Sequence, residues 1–372
     1  MLKKYNFKDY NYLLFILVMG LMIFGLIIID IVDDSFTTKQ ALGIGLAFVI
    51  MITVSLIDYH FIAKFYVTLY IVGCILLAAV LLFGKTVNNA KRWFAVGDFL
   101  TFQPSELIKI LLIIFISVFL SRKIEEETVS TFKTIFLYVI FISIPVLLII
   151  REPDLSTTLC IMLVMVTLIY LAGLNYKIIG MVLIIFIPLF SVFIWYVQKP
   201  DQKLLYEHQV TRIMSFLYPS KYDDETMQQD NAVMAIGSGK LNGKGLSKEN
   251  DVSRTSDTKL ISEQQTDFIF SAVGESVGFV GSVIIIGIIL TIVLQCIRAG
   301  RLARDDTGRL IAIGVGCLIG YQSFINIGVA TKLLPNTGSP LPFISYGLSS
   351  LVSTAIGIGL VLNISMQKRK YL

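Results

Sequence analysis

Ten runs of predominantly apolar residues, each about 17 residues or longer, make up most of the chain and limit what it can fold into. They lie near residues 12–32, 41–57, 65–84, 105–121, 133–150, 155–173, 178–197, 267–297, 309–331 and 348–366. A helix of roughly that length crosses about 30 Å of hydrocarbon. Lipid offers backbone N–H and C=O groups no partner, so a spanning segment is a helix or a strand of a closed barrel, and uninterrupted apolar runs exclude the alternating barrel pattern. With 55% hydrophobic and only 15% charged residues in 372, the chain cannot clothe a water-soluble surface. The expected fold is all-α: a polytopic membrane protein, a bundle of ten transmembrane helices in a single domain over residues 1–372. One long loop, residues 198–266, separates the seventh and eighth spans.

The first run starts at Tyr12 behind a basic stretch containing Lys3, Lys4 and Lys8. It is too long for a signal-peptide core and no small-residue cleavage site follows, so it is expected to be retained. An even number of spans puts both termini on one side, and basic residues in the short loops choose which. Lys64, Arg122, Lys123, Lys133, Lys177, Arg298, Arg301 and Arg304 fall on the side of the termini, against Lys39, Lys85, Lys91, Arg92, Arg151 and Lys332 opposite. Both termini are therefore expected in the cytoplasm and the long loop outside. The net charge of +5 follows from this asymmetry and offers no argument for nucleic acid. Cys74, Cys160, Cys296 and Cys317 all fall within expected spans and cannot staple outer loops, and His60 and His208 fall on opposite faces, which excludes a His-rich metal site.

Several polar motifs interrupt this pattern. "QPSELIK" (Gln103–Lys109) reads as a helix entrance, with Pro104 in the first turn, Ser105 available as a cap and Glu106 near the positive end of the dipole. Glu106 and Lys109 share a helix face. A surface ion pair would explain them, but the apolar run that follows puts the Lys109 ammonium inside the membrane, at a cost of about 3 kcal/mol unless it is paired or faces water. A polar core is the stronger reading. "REPDLST" (Arg151–Thr157) breaks two runs at Pro153; either Asp154 simply caps the next helix, or Arg151, Glu152 or Asp154 lines an outward-facing cavity. "LLPNTGSPLPFISYG" (Leu333–Gly347) collects three prolines and two glycines between the last two spans, which at membrane depth is tolerated where the backbone is buried in protein or lines a wet cavity.

In the long loop, "HQVTRIMSFLYP" and "DNAVMAIGSGKL" carry helical apolar spacing, while "SKENDVSRTSDTK" is polar. "GSGKLNGKG" (Gly237–Gly245) fails the spacing of a P-loop and reads as a simple turn or a cationic cradle for a pyrophosphate. The segment around Lys91, Arg92, Trp93 and Phe94 suits a helix or hairpin in the headgroup region. "LISEQQTDFIFSAVGESVGFVG" (Leu260–Gly281) sets Asp267 at the threshold of the eighth span, where it is either an N-cap or a general base for a lipid-linked substrate. Glu275, two turns deeper, is expected to join the polar core with Lys109 or another span.

Taken in order, "KRWF", "QPSE..K", "PD..T", "AIGSG…GKG", "TDFIFS..GE..GFVG" and "NIG……LLP.TG.PLPFISYG.SS" resemble the SEDS proteins, the RodA and FtsW class, over nearly the whole chain. The resemblance implies a peptidoglycan glycosyltransferase that polymerises lipid II outside the cytoplasmic membrane beside a class B penicillin-binding protein. It implies that Asp267 is the essential loop aspartate, Glu106 with Lys109 the intramembrane pair, and Asp154 the outer aspartate. Gln265 stands where the family usually has histidine, "ISE" replaces "LPE", and Leu348 replaces the second glycine after "SYG". Short tails favour an elongation role of the RodA type.

On this reading Asp267 deprotonates the acceptor hydroxyl, which attacks with inversion, because the lipid pyrophosphate is already an activated leaving group. Lys91, Arg92, Arg212, Lys240 and Lys244 are candidate pyrophosphate partners, with Ser345 of the "SYG" loop a further candidate. A divalent cation, Mg2+ or Mn2+, would sit at Asp267 or Asp154. A lipid II flippase and a catalytically inert scaffold for the cross-linking enzyme are the alternatives.

Overall fold

The computed structural model describes residues 7–87, 90–96, 100–199, 202, 207–218, 221, 223–246 and 261–367. Each of the ten apolar runs is a helix: α1 (Tyr12–Val32), α2 (Thr37–Leu56), α4 (Tyr66–Phe83), α5 (Pro104–Glu125), α6 (Phe132–Arg151), α7 (Leu155–Leu171), α8 (Tyr176–Val197), α11 (Ile269–Arg301), α12 (Asp306–Ala330) and α13 (Leu348–Ser365). Eight of them are long and apolar enough to cross a membrane by themselves. The other two are α5, which is 22 residues long, and α7, an apolar helix of 17. The protein is thus a multi-pass helical membrane protein, with eight crossings supported by length and composition against the ten expected. A short helix α3 (Tyr59–Lys64) follows α2, and the long loop contributes α9 (Glu207–Leu217) and α10 (Asp223–Ser238) where helical spacing was read. The polar segment beyond it falls outside the described residues. Between α4 and α5 the chain forms the hairpin alternative, a small antiparallel sheet of β1 (Lys85–Val87), β2 (Ala90–Val96) and β3 (Leu100–Phe102) in that order.

Helices in lipid gain little from burying apolar surface on one another, so close packing and polar contacts select the centre. Here it is α5, α12 and α13, whose residues are buried almost throughout. The helices around them turn a lipid face outward, shown by Leu42, Phe83, Val166 and Leu290. Among its described side chains α8 buries only Val197, as expected of a helix that is apolar all round. At the end of the bundle that carries α3, His60 bridges Asp58 at 2.9 Å and Asp305, the cap of α12, at 2.8 Å. The Tyr59 hydroxyl also donates to Asp305, at 2.8 Å, and its amide donates to Asn363 of α13, at 3.0 Å. α3 is thereby tied to two of the three central helices.

The eighth run is broken. At Gly278, φ is 68° and ψ −167°, a conformation open in practice only to glycine. A break inside lipid strands backbone groups on both sides of it, and the chain from the long loop takes them up. The Phe279 and Val280 amides donate to the Lys240 and Leu241 carbonyls at 2.8 and 3.1 Å, and the Lys244 and Gly245 amides donate to the Glu275 and Ser276 carbonyls at 2.9 and 3.0 Å. The two backbones lie so close that a Cβ on Gly278 would fall 2.3 Å from the Gly243 nitrogen. Gly278→Ala is expected to cost at least about 1–3 kcal/mol from backbone strain alone. Gly287→Ala, in the same helix with nothing within 4 Å of its Cβ position, should be neutral or stabilising by up to about 1 kcal/mol. Thermal unfolding in detergent of the two variants beside the parent checks both.

Candidate active site

Asp267 lies in a turn, residues 261–268, that leads into α11. The cap position of α11 is Phe268 and no side chain caps the helix, so the Asp267 carboxylate is not spent as an N-cap. The turn is instead fixed through its backbone. Three consecutive carbonyls are held by donors from two elements: the Tyr346 amide donates to Gln265 O at 2.9 Å, the Ser345 hydroxyl to Thr266 O at 2.6 Å, and the Asn326 amide nitrogen to Asp267 O at 2.8 Å. The Pro-rich segment 333–347 therefore forms the wall of the site, and Gln40 of α2 braces it, donating to Ser345 O at 3.3 Å. Ser345 also accepts from the Leu341 amide at 2.7 Å. Against this wall the Asp267 carboxylate packs on Gly338, where φ is +68° and an added Cβ would lie 2.9 Å from Oδ2.

Asp154 reaches the same wall. It caps α7, with Oδ1 accepting from the Thr157 amide at 3.0 Å, and Oδ2 accepts from the Thr157 hydroxyl at 3.0 Å and from Gln103 Nε2 at 3.2 Å. The Ser156 hydroxyl lies 3.2 Å from Asp154 Oδ1 and 3.1 Å from the Gly338 carbonyl. Asp154 thus joins the start of α5 to the start of α7 and, through Ser156, to the residue that abuts Asp267. Ser105 accepts from Gln103 Nε2 at 2.8 Å, and the N-cap of α5 is Gln103 itself.

The Glu106 and Lys109 pair is buried, 2.8 Å from Lys109 Nζ to Glu106 Oε1, and Lys109 also donates to Gln322 of α12 at 3.1 Å. Glu275 does not join it. Its carboxylate pairs at 2.7 Å with Lys244, a residue of the loop clasped onto the break in α11, which commits Lys244 to that ion pair. Of the other cations, Arg92 donates to the Glu152 and Pro153 carbonyls at 2.8 and 2.5 Å, fixing the sheet to the turn before Asp154. Lys91 and Lys240 are exposed, and the Arg212 side chain lies outside the described residues.

Reading the sequence overlooked Gln103, Gln322 and Asn326 as working residues and named Glu152 only as a candidate lining residue of an outward-facing cavity. The available signal was two amides one turn apart, Gln322 and Asn326, on one face of an apolar run, where an unpaired amide is costly. Glu152 is fully buried, and neither carboxyl oxygen has a hydrogen-bond partner among the described residues. Burial, with repulsion from Asp154 added and Arg92 opposing, pushes its pKa up to about 8. It therefore binds a proton in the folded protein that it has lost in the unfolded chain between about pH 4.5 and pH 8, so its contribution to stability falls as pH rises through that window. Glu152→Gln is expected to flatten that part of the profile of unfolding temperature against pH. Lys109→Met, which strands the Glu106 carboxylate, should cost about 3–5 kcal/mol, and adding Glu106→Gln should recover more than half of the loss. Detergent unfolding of the single and double variants reads both.

A family model, FTSW_RODA_SPOVE, described as "Cell cycle protein", matches residues 10–370. A "Probable peptidoglycan glycosyltransferase FtsW" of Geobacter sulfurreducens is 32% identical over 335 residues, 89% of this chain and 85% of that protein. The "Peptidoglycan glycosyltransferase MrdB" of Escherichia coli K12 is 30% identical over 327 residues, 88% of this chain and 84% of its own. Among solved structures, a chain from a peptidoglycan synthase complex that coordinates polymerization and crosslinking superposes with a TM-score of 0.78 at 24% identity, covering 96% of this chain and 97% of that one. The rod shape determining protein RodA of Thermus thermophilus superposes with a TM-score of 0.69 at 24% identity, covering 97% and 98%. These superpositions speak for the fold. Together with the family match across nearly the full length, the relatives at 30% identity or more place the chain in the FtsW, RodA and SpoVE family.

Proposed function

We propose that the protein is a peptidoglycan glycosyltransferase that polymerises lipid II on the outer face of the bacterial cytoplasmic membrane. The observation that carries this reading is Asp267: a carboxylate at the mouth of a membrane helix, released from capping, on a turn whose three carbonyls are pinned. That position suits a substrate with its tail in lipid and its sugar in water. The naming of the FtsW and MrdB relatives as glycosyltransferases supports the same chemistry. An inert scaffold would need Asp267 only as a cap, a role it does not fill.

In the proposed step Asp267 takes the proton from the acceptor GlcNAc 4-hydroxyl, whose oxygen attacks the anomeric carbon of the growing strand. The bond from that carbon to the pyrophosphate oxygen breaks, the configuration inverts, and the lipid pyrophosphate leaves. Lys91 and Lys240, both exposed, are the cations assigned to the departing charge, and Lys244 is excluded from that role by Glu275. As to Mg2+ or Mn2+, Asp154 does not fit as a ligand, because the Thr157 amide, the Thr157 hydroxyl and Gln103 Nε2 already donate to its two oxygens. No group of three or more His, Cys, Asp or Glu side chains gathers among the described residues, and no step here runs through a metal.

The distribution of Lys and Arg supports cytoplasmic termini, and the fold match to a chain of a synthase complex supports a class B penicillin-binding protein as the partner, docked through transmembrane helices. A role in cell elongation and shape fits the fold shared with a rod shape determining protein. Purified protein with its partner and lipid II should form long glycan strands, and Asp267→Asn should lower the rate by about 100-fold or more while the protein stays folded. Polymerisation by Asp267→Asn at the parental rate would overturn the reading.

A further inference from the structure

The wall behind Asp267 is itself held from within the membrane. Asn326 is completely buried on α12, and its one amide nitrogen, with two hydrogens to give, donates to Asp267 O at 2.8 Å and to Ser339 O at 2.6 Å. Those two carbonyls belong to the turn that carries the carboxylate and to the residue after Gly338, against which the carboxylate packs. One side chain therefore sets the spacing between Asp267 and the surface opposite it. One helical turn earlier, Gln322 repeats the arrangement: its Nε2 donates to Pro340 O at 3.1 Å, and its Oε1 accepts from Lys109 Nζ, also at 3.1 Å. Lys109 is oriented in turn by Glu106 at 2.8 Å. The bonds form one buried ladder, running from the ion pair through two amides of α12 to adjacent carbonyls of the wall and to the backbone of Asp267.

We propose that Asn326 is a positioning residue for the Asp267 carboxylate, and that the Glu106 and Lys109 pair acts on the reaction through Gln322 by holding the wall to which Asn326 fastens the Asp267 turn. The inference rests on the reading of Asp267 as the base. No charge or proton passes along the ladder, because Gln322 and Asn326 are uncharged amides that stay so. Its effect is geometric, and catalysis is sensitive to displacements of the order of 1 Å at the reacting groups.

The experiment uses the full chain in complex with its partner and lipid II as substrate. It compares the parent, Asn326→Ala, Asn326→Asp, Gln322→Met and Asp267→Asn, with the folded fraction of each taken from its unfolding curve. Asn326→Asp keeps the shape of the side chain and leaves at most one donor, so it serves if the alanine variant fails to fold. Per folded molecule, Asn326→Ala and Asn326→Asp are expected to lower kcat by roughly 10- to 100-fold with KM for lipid II little changed, and Gln322→Met to lower it less. The acid limb of the pH profile of kcat should move as well, because the carboxylate leaves its place beside Gly338. If kcat per folded molecule and its pH profile are parental in the Asn326 variants while Asp267→Asn is inactive, the positioning role is wrong and the base stands. If Asp267→Asn is active at the parental rate, the base itself is wrong. A loss confined to the folded fraction would reduce Asn326 to a structural residue.

Discussion

Inside a bilayer no backbone amide or carbonyl can be left without a partner, and this requirement organises the functional end of the protein. Where helices run unbroken it is met locally. At the Asp267 turn, the Pro-rich segment 333–347 and the break at Gly278 it is not, and at each of these the missing partners come from distant parts of the chain. Asn326, Ser345 and Tyr346 complete the turn, Gln322 and Gln40 support the segment, and residues 240–245 complete the break. The irregular backbone is thus hydrogen-bonded to other elements at each of these points. On the proposed reading of Asp267 as the base, such bracing leaves little rearrangement for the moment of reaction.

Charges within the protein obey the same economy. Lys109 is paired with Glu106 and Lys244 with Glu275, and Asp154 is surrounded by neutral donors. The exception is Glu152, whose buried carboxyl is pushed up until the protonated form prevails at neutral pH. Of the two aspartates near Gly338, Asp154 caps α7 and accepts from neutral donors, whereas Asp267 does not cap α11. On the proposed reading that division makes Asp267 the chemical group and Asp154 the architectural one.

Much of the fold was legible in the sequence because membrane thickness imposes a length on each helix and lipid forbids alternatives. The Glu106 and Lys109 pair was legible for the same reason: spacing of three placed both on one face, and insertion cost demanded a partner. Half of Asp154 was legible, the cap to Thr157, whereas the bond from Gln103, 51 positions away, depends on how α5 meets α7. The partner of Glu275 was misread because apolar flanks point to a neighbouring span and do not reveal a loop folded back onto the helix. Gly278 gave no warning either, since glycine is ordinary in transmembrane helices, and only the approach of Gly243 shows why it must be there.

The clasp on α11 also bears on how such a chain can vary. Loops are where insertions and deletions usually collect. Residues 240–245 lie in the longest loop of the protein, yet beside the Lys244–Glu275 pair their contacts with 275–280 are main-chain hydrogen bonds at fixed intervals. Adding or removing one residue there would shift every donor off its carbonyl at once, whatever side chains were present. In descent this stretch is bound to behave as part of the membrane helix it mends, tolerant of substitution outside its glycines and Lys244 and intolerant of any change in length.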